Sequence, residues 1–195
     1  ELFNLKNWTN TLKLTDTTAL AGTPATDLAA IAAEDNDWYG LALSHNNEAN
    51  VEAVASWVEP NLKLFLANSS DFGEGDALTT NDLLSDLKAS AYFKTGTLYN
   101  GTELLGYSGA AWLGEGLPWP PGSSTFALKT LRGTTVDSHV STTQEGVIQD
   151  KNGNTYTAVA GKNVTMKGVS AAGEFLDIAF GRLHHVKQRR LRRGP

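Results

Sequence analysis

The sequence predicts an α/β protein in which helices flank a central mixed, mainly parallel sheet, and which closes with a β-hairpin and a long C-terminal helix. Apolar runs at residues 38–43 and 62–67 are typical of strands buried on both faces. Between these runs, Val51, Val54, Ala55 and Val58 lie at helical spacing and form one apolar face. The two strands are therefore expected to lie parallel, joined by a right-handed helical crossover.

The first 36 residues supply two elements before this central unit. Residues 1–22 are rich in Asn and Thr and alternate loosely in polarity, so we expect a strand-like N-terminal extension. Because this start is abrupt and has no initiator Met, we also expect the sequence to be a fragment. Thr23 followed by Pro24 predicts the start of a helix, since Thr caps helices and proline suits their first turn. The central helix is expected to begin after Asn46 or Asn47.

Further helices and strands alternate downstream. Thr79 or Thr80 is predicted to cap a helix that turns Leu83, Leu84 and Leu87 inward, and residues 94–99 are predicted to form a strand. Thr102 is predicted to open a helix whose glycines at positions 106, 109 and 114 indicate close packing against a neighbour. The remaining predictions are a rigid loop at 116–122, a strand at 124–131, a helix capped by a box at 141–144, a hairpin pairing 156–160 with 163–166, and a helix at 171–191.

Composition places the chain in the folded, globular class. Its 195 residues are 41% hydrophobic and include no cysteine, which excludes disulfides, thiolate metal sites and cysteine nucleophiles. No run of 18 apolar residues is present, so we expect a soluble protein without membrane insertion. We expect one α/β domain at 23–186, preceded by the extension and followed by a basic tail at 187–195.

Charge is distributed unevenly along the chain. The net charge is −5, yet residues 182–193 contain six of the 16 basic residues and no acid, which leaves 10 bases and 21 acids, a balance of −11, in the rest. An acidic body of this kind repels nucleic acid, so no nucleic-acid partner is predicted. Cations at a helix C-terminus explain part of the tail. Contact with an acidic surface of a neighbouring subunit is the functional alternative for Arg189, Arg190, Arg192 and Arg193.

Residues with catalytic potential do not assemble into a recognisable pattern. His184 and His185 are adjacent and cannot share an ion on a helix, and Ser108 lies one residue short of a Gly-x-Ser-x-Gly motif. Acidic clusters at 34–37 and 71–76 admit a carboxylate pair or a calcium loop, but helix termination and loop solvation explain them better. We therefore predict no catalytic residue, no cofactor and no metal ligand.

Several segments, taken in order, resemble the contractile tail sheath proteins of bacteriophages, in a branch formerly catalogued as a family of unknown function. The resemblance spans residues 20–182, and its strength is the order and spacing of the matches rather than any single motif. The matching segments are Asp27-Leu-Ala-Ala-Ile, Asp37-Trp-Tyr-Gly-Leu, Ala55-Ser-Trp-Val-Glu, Lys63-Leu-Phe-Leu-Ala, Ala110-Ala-Trp-Leu-Gly, Pro121-Gly-Ser, Phe126-Ala-Leu-Lys-Thr-Leu-Arg-Gly, Tyr156, Ala160-Gly, Gly168 and Ala172-Gly-Glu-Phe-Leu-Asp-Ile.

The resemblance implies a structural subunit, or a fragment of one, and no enzyme. Such a subunit polymerises around a tail tube and contracts to drive the tube through the host envelope. Its partners would be copies of itself, the tube protein, and the baseplate and tail terminator; it would be made in the bacterial host cytoplasm and reside in the virion. In this family chain ends add strands to the sheets of neighbours, which makes Leu5, Trp8, Leu12 and Leu14 candidate interface residues beside the four arginines. The alternative is a metal-dependent hydrolase or transferase that uses the acidic loops.

Overall fold

Seven strands form one sheet in the order β2-β1-β3-β4-β5-β6-β7. The computed structural model describes residues 2–6, 11–15, 23–101, 107–119 and 123–176, the first two ranges as backbone. The elements are β1 (Leu2–Lys6), β2 (Thr11–Thr15), α1 (Pro24–Glu34), β3 (Gly40–Leu43), α2 (Glu48–Asn61), β4 (Leu64–Ser69), a short 3₁₀ helix (Phe72–Gly75), α3 (Leu83–Ser90), β5 (Thr95–Tyr99), α4 (Ser108–Gly116), α5 (Thr142–Asp150), β6 (Asn154–Val159) and β7 (Lys162–Thr165).

The centre of the sheet is parallel and its two sides are antiparallel. β3, β4, β5 and β6 run in the same direction, with Phe65 opposite Thr95 in the longest parallel register. β1 and β2 pair antiparallel and continue the sheet beyond β3, while β7 pairs antiparallel with β6. The predicted α/β class with a mixed sheet and a parallel centre is confirmed.

The central strand–helix–strand unit is built as its pattern predicts. Asn47 caps α2, because its Oδ1 accepts the backbone N–H of Asn50 at 2.8 Å. The predicted apolar face of α2 is fully buried against the sheet. Leu62 ends the helix in the left-handed region with φ of 56° and turns the chain into β4. Burial of each such valine or leucine stabilises the fold by about 1.5–3 kcal/mol.

Helices cover both faces of the sheet. Leu41, Leu43, Phe65 and Ala67 point to the face packed by α1, α2 and α3, whereas the alternate residues of β3 and β4 point to the face packed by α4. Close approach of α4 explains its glycine at position 109, where a Cβ would lie 2.5 Å from the carbonyl oxygen of Leu66. The predicted close packing is therefore confirmed at Gly109, while Gly114 faces open space.

The predicted strand at 124–131 is wrong. These residues form turns in which Phe126 is buried edge-on against Trp112, and the indole Nε1 donates to the carbonyl oxygen of Phe126 at 2.8 Å. Leu128 adopts φ of 56° and leaves its side chain 67% exposed. The alternation in this segment reflects one deeply buried aromatic residue rather than a pleated strand.

The turn at 128–129 pairs with Thr165, the last residue of β7, on the outer side of the sheet. The backbone N–H of Leu128 donates to the carbonyl oxygen of Thr165 at 2.8 Å, and the N–H of Thr165 donates to the carbonyl oxygen of Lys129 at 2.9 Å. β2 forms the opposite edge of the sheet and has a strand on one side only within the described part of the chain. The outer edge of β7 is therefore covered at its last residue, whereas the outer edge of β2 is open among the described residues.

Three predicted helices differ from the structure or lie partly outside the described residues. α3 begins after Asp82 rather than after Thr79 or Thr80, because the Asp82 carboxylate accepts the N–H of Ser85 at 3.0 Å. The predicted start at Thr102 lies outside the described residues, and α4 is seen from Ser108. The predicted helix at 171–191 is wrong as far as Leu176, since this stretch forms turns and a bridge between Val169 and Phe175, and its remainder lies outside the described residues.

Candidate functional site

Polar side chains concentrate where the parallel strands β4 and β5 end. β4 ends at Ser69, and residues 70–79, which we call the acidic loop, carry Asp71, Glu74 and Asp76. In α/β proteins the carboxyl ends of parallel strands are where functional side chains collect. This carboxyl end of the parallel strands is the candidate site.

Lys151, at the end of α5, extends into the acidic loop. Its Nζ lies 2.7 Å from Asp82 Oδ2, 2.8 Å from the carbonyl oxygen of Thr79 and 3.0 Å from that of Asp76. The Lys151 side chain is 11% exposed and that of Asp82 is wholly buried. The ammonium group thus binds the converging oxygens of the loop and holds the loop against α5.

Glu74 lies beneath the loop with its side chain fully buried. Its Oε1 accepts the Ser69 hydroxyl at 2.5 Å, and its Oε2 has no hydrogen-bond partner among the described residues. Burial raises the pKa of this carboxyl to about 8, because water is excluded from the charged form. Glu74 is consequently a neutral acid at pH 7 and part of the packed interior.

Asp71 and Asp76 shape the backbone of the acidic loop. Asp71 Oδ1 accepts the N–H of Gly73 at 2.9 Å and begins the 3₁₀ helix. Asp76 Oδ1 accepts the N–H of Leu78 at 2.9 Å. Both carboxylates make the local turn bonds that aspartate commonly makes, so the sequence cluster at 71–76 is explained by loop formation.

A second cluster of acidic side chains was not predicted from the sequence. Glu48 and Glu52 of α2 and Asp86 of α3 each place a carboxylate oxygen within 4.8 Å of the others. Reduced hydration, followed by the charges of Glu52 and Asp86, raises the pKa of Glu48. The spacing of four between the two glutamates was visible in the sequence, but the approach of Asp86 depends on how α2 packs against α3. Groups of exposed acids like this one are common in proteins without a bound ion.

Ser108 has a structural environment. Its hydroxyl donates to Asn68 Oδ1 at 3.1 Å in the interior, and the same oxygen accepts the N–H of Gly109. The serine therefore fastens the start of α4 to β4. His139 lies on the surface beside Asp137, with its Nδ1 3.2 Å from Oδ1.

The predicted interface residues fall in two groups. Leu5 lies in β1, opposite Leu12 of β2, and Leu14 lies opposite Phe3 in the same antiparallel pair. Trp8 and the four arginines at positions 189, 190, 192 and 193 lie outside the described residues. The structure thus places the three leucines in the two strands on one side of the sheet.

None of the described helices has the length and apolar character needed to span a membrane. Comparisons with protein families, curated proteins and solved structures found no match to this chain.

Proposed function

We propose that this chain is a structural subunit, or a fragment of one, of a bacteriophage contractile tail sheath. In this proposal copies assemble around the tail tube in the virion, and the assembly contracts to drive the tube through the host envelope. Partners would be further copies, the tube protein, the baseplate and the tail terminator. The sequence resemblance over residues 20–182 motivates the proposal.

The structural observation that best supports the proposal is a difference between the two edges of the sheet. Leu128 and Lys129 form hydrogen bonds with the outward backbone groups of Thr165, the last residue of β7. β2 has an outer side with no strand beside it in the described part of the chain. An open edge of this kind accepts an extended segment from another chain through backbone hydrogen bonds. This arrangement fits a subunit that joins its neighbours by sheet extension.

The competing proposal is a metal-dependent hydrolase or transferase. The acidic loop supports it less than the open edge of β2 supports a sheath subunit. Its converging oxygens bind the Lys151 ammonium, and Asp71 and Asp76 make turn hydrogen bonds. Glu74, whose pKa is raised by burial, is enclosed by the fold. These roles are structural.

Electron microscopy tests the proposal directly. The purified chain at high concentration should form regular filaments or rings, and gold-labelled antibodies against it should decorate the contractile sheath of the tail. Labelling elsewhere on the particle, or no ordered assembly under any condition, would refute it. Substitution of Asp71 and Asp76 by Asn separates the two proposals, because loss of a hydrolase activity with intact assembly would favour the enzyme.

A further inference from the structure

We propose that the acidic loop, residues 70–79, binds the basic tail, residues 187–193, of a second copy of the chain. The inference rests on the proposed function, since it needs copies that assemble. It identifies which acidic surface the arginines of the tail would contact.

The acidic loop presents apolar side chains from an ordered backbone. Leu78 is 90% exposed and Phe72 is 71% exposed, and these are the two most exposed large apolar side chains in the described part of the chain. Lys151 ties the loop to α5, and buried Glu74 ties it to the end of β4. Binding therefore requires little ordering of the loop, which favours a docking role for exposed apolar groups.

The charge of the loop selects a basic partner. Asp71 and Asp76 are exposed and lie within two residues of Phe72 and Leu78 along the chain, and residues 64–87 contain no base. Residues 187–193 read Lys-Gln-Arg-Arg-Leu-Arg-Arg, which combines five bases with one leucine. Guanidinium groups bind carboxylates and stack on aromatic rings, so this segment complements both the acids and Phe72.

The proposed assembly makes a second copy the partner of the loop. The last described residue, Leu176, lies against Gly96 near the start of β5, whereas the acidic loop follows the end of the neighbouring parallel strand β4. Gly96 lies opposite Leu66, three residues before the end of β4, so the acidic loop begins about 10 Å further along the sheet. A contact between the tail of one copy and the loop of another joins two different surfaces, so it is head-to-tail and repeats into rings or filaments.

Substitutions that change the charge of the loop and of the tail, made in the 195-residue chain, test this contact. Leu78 is replaced by Lys or by Glu, each in the natural chain and in a chain whose Arg189, Arg190, Arg192 and Arg193 are all replaced by Glu. Leu78 donates no side-chain bond, so both substitutions leave the turn intact. The matched controls are Phe93→Lys and Phe93→Glu, because Phe93 is 61% exposed just before β5, at the end of the sheet where Leu176 lies.

Sedimentation velocity at low and high salt then gives the dissociation constant of self-association. With the natural tail, Leu78→Lys should associate about threefold more weakly than Leu78→Glu at low salt, and with the reversed tail the order should invert. The Phe93 pair should show no inversion. An absent inversion in chains that still assemble would overturn this contact alone, as would a tail that binds its own loop. Association abolished by nuclease would show that the arginines bind nucleic acid, and a chain that never assembles would overturn the proposed function as well.

Discussion

Lys151 and Asp82 form a buried ion pair that joins the end of α5 to the start of α3, with Nζ and Oδ2 2.7 Å apart. The same ammonium binds the carbonyl oxygens of Asp76 and Thr79. A single side chain thereby orders the acidic loop and connects it to two helices. The shape of the candidate site depends on this lysine more than on any acid within the loop.

Replacement of Lys151 by Met should destabilise the protein by about 3–5 kcal/mol, because it leaves Asp82 as an unpaired buried charge. Urea unfolding at pH 7 measures this loss. The matched control is Lys167→Met. Lys167 Nζ binds the carbonyl oxygen of Gln149 at the surface, so the loss in this variant should be below about 1 kcal/mol. Equal losses for the two variants would contradict the role assigned to Lys151.

Glu74 predicts a specific dependence of stability on pH. Its pKa in the folded state is raised to about 8 from an ordinary value near 4.5, so the folded state holds this proton more tightly than the unfolded state. Stability from this group is complete below pH 4.5 and falls as the pH rises towards 8, by at most about 1.4 kcal/mol per pH unit. Glu74→Gln, which cannot ionise, should be less sensitive to pH over this range.

Urea unfolding of the natural chain and of Glu74→Gln at pH 5, 6.5 and 8 measures this difference. The variant should gain stability relative to the natural chain as the pH rises. The exposed substitution Glu34→Gln serves as the control and should leave the profile as it is. Parallel profiles for the natural chain and Glu74→Gln would mean that Glu74 ionises normally in the folded state.

Two glycines of α4 should respond to alanine with opposite signs. At Gly109 a Cβ would lie 2.5 Å from the carbonyl oxygen of Leu66 and 2.8 Å from Asn68 Oδ1, so Gly109→Ala should destabilise the protein by about 1–3 kcal/mol. At Gly114 nothing lies within 4 Å, and Gly114→Ala should stabilise the helix by up to about 1 kcal/mol. Thermal unfolding distinguishes the two, and a stabilised Gly109→Ala would refute the close packing of α4 on β4.

Proline substitutions in β2 test the open edge. Successive residues of an antiparallel strand direct their backbone groups alternately towards the paired strand and away from it. Of Lys13→Pro and Leu14→Pro, one should therefore weaken the pairing with β1, and the other should leave that pairing intact while removing an outward N–H.

The variant that removes an outward N–H should remain as stable as the natural chain and assemble less readily, as judged by unfolding and by sedimentation. Assembly that is unchanged in both variants would exclude the outer side of β2 as a joining edge. This result would leave the contact between the acidic loop and the tail open to its own test.

The sequence predicted the elements whose side chains repeat with a regular period. Val51, Val54, Ala55 and Val58 identified α2, and the apolar runs identified β3 and β4, because burial on the sheet imposes those periods. The capping box at Ser141 and Gln144 was found for a similar reason, since it depends on local spacing. Local patterns were sufficient wherever the determining contacts were local.

The remaining features depend on contacts between distant parts of the chain. Lys151 and Asp82 are separated by 69 positions, and nothing in either neighbourhood indicates that they meet. The segment at 124–131 looked like a strand because Phe126 and Leu128 alternate with their neighbours, yet Phe126 packs against Trp112 and Leu128 turns to solvent. The acids at 71–76 were identified, but their role became clear only once Lys151 was placed among them.

The unequal edges of the sheet limit how copies can join. If two copies paired through their β2 strands, both free edges would be consumed, and growth would stop at a closed dimer. β7 offers little alternative, because the turn at Leu128 already occupies the backbone groups of Thr165. A donor segment other than the sheet edges would let each copy give one strand and receive another, and growth through strands would then continue.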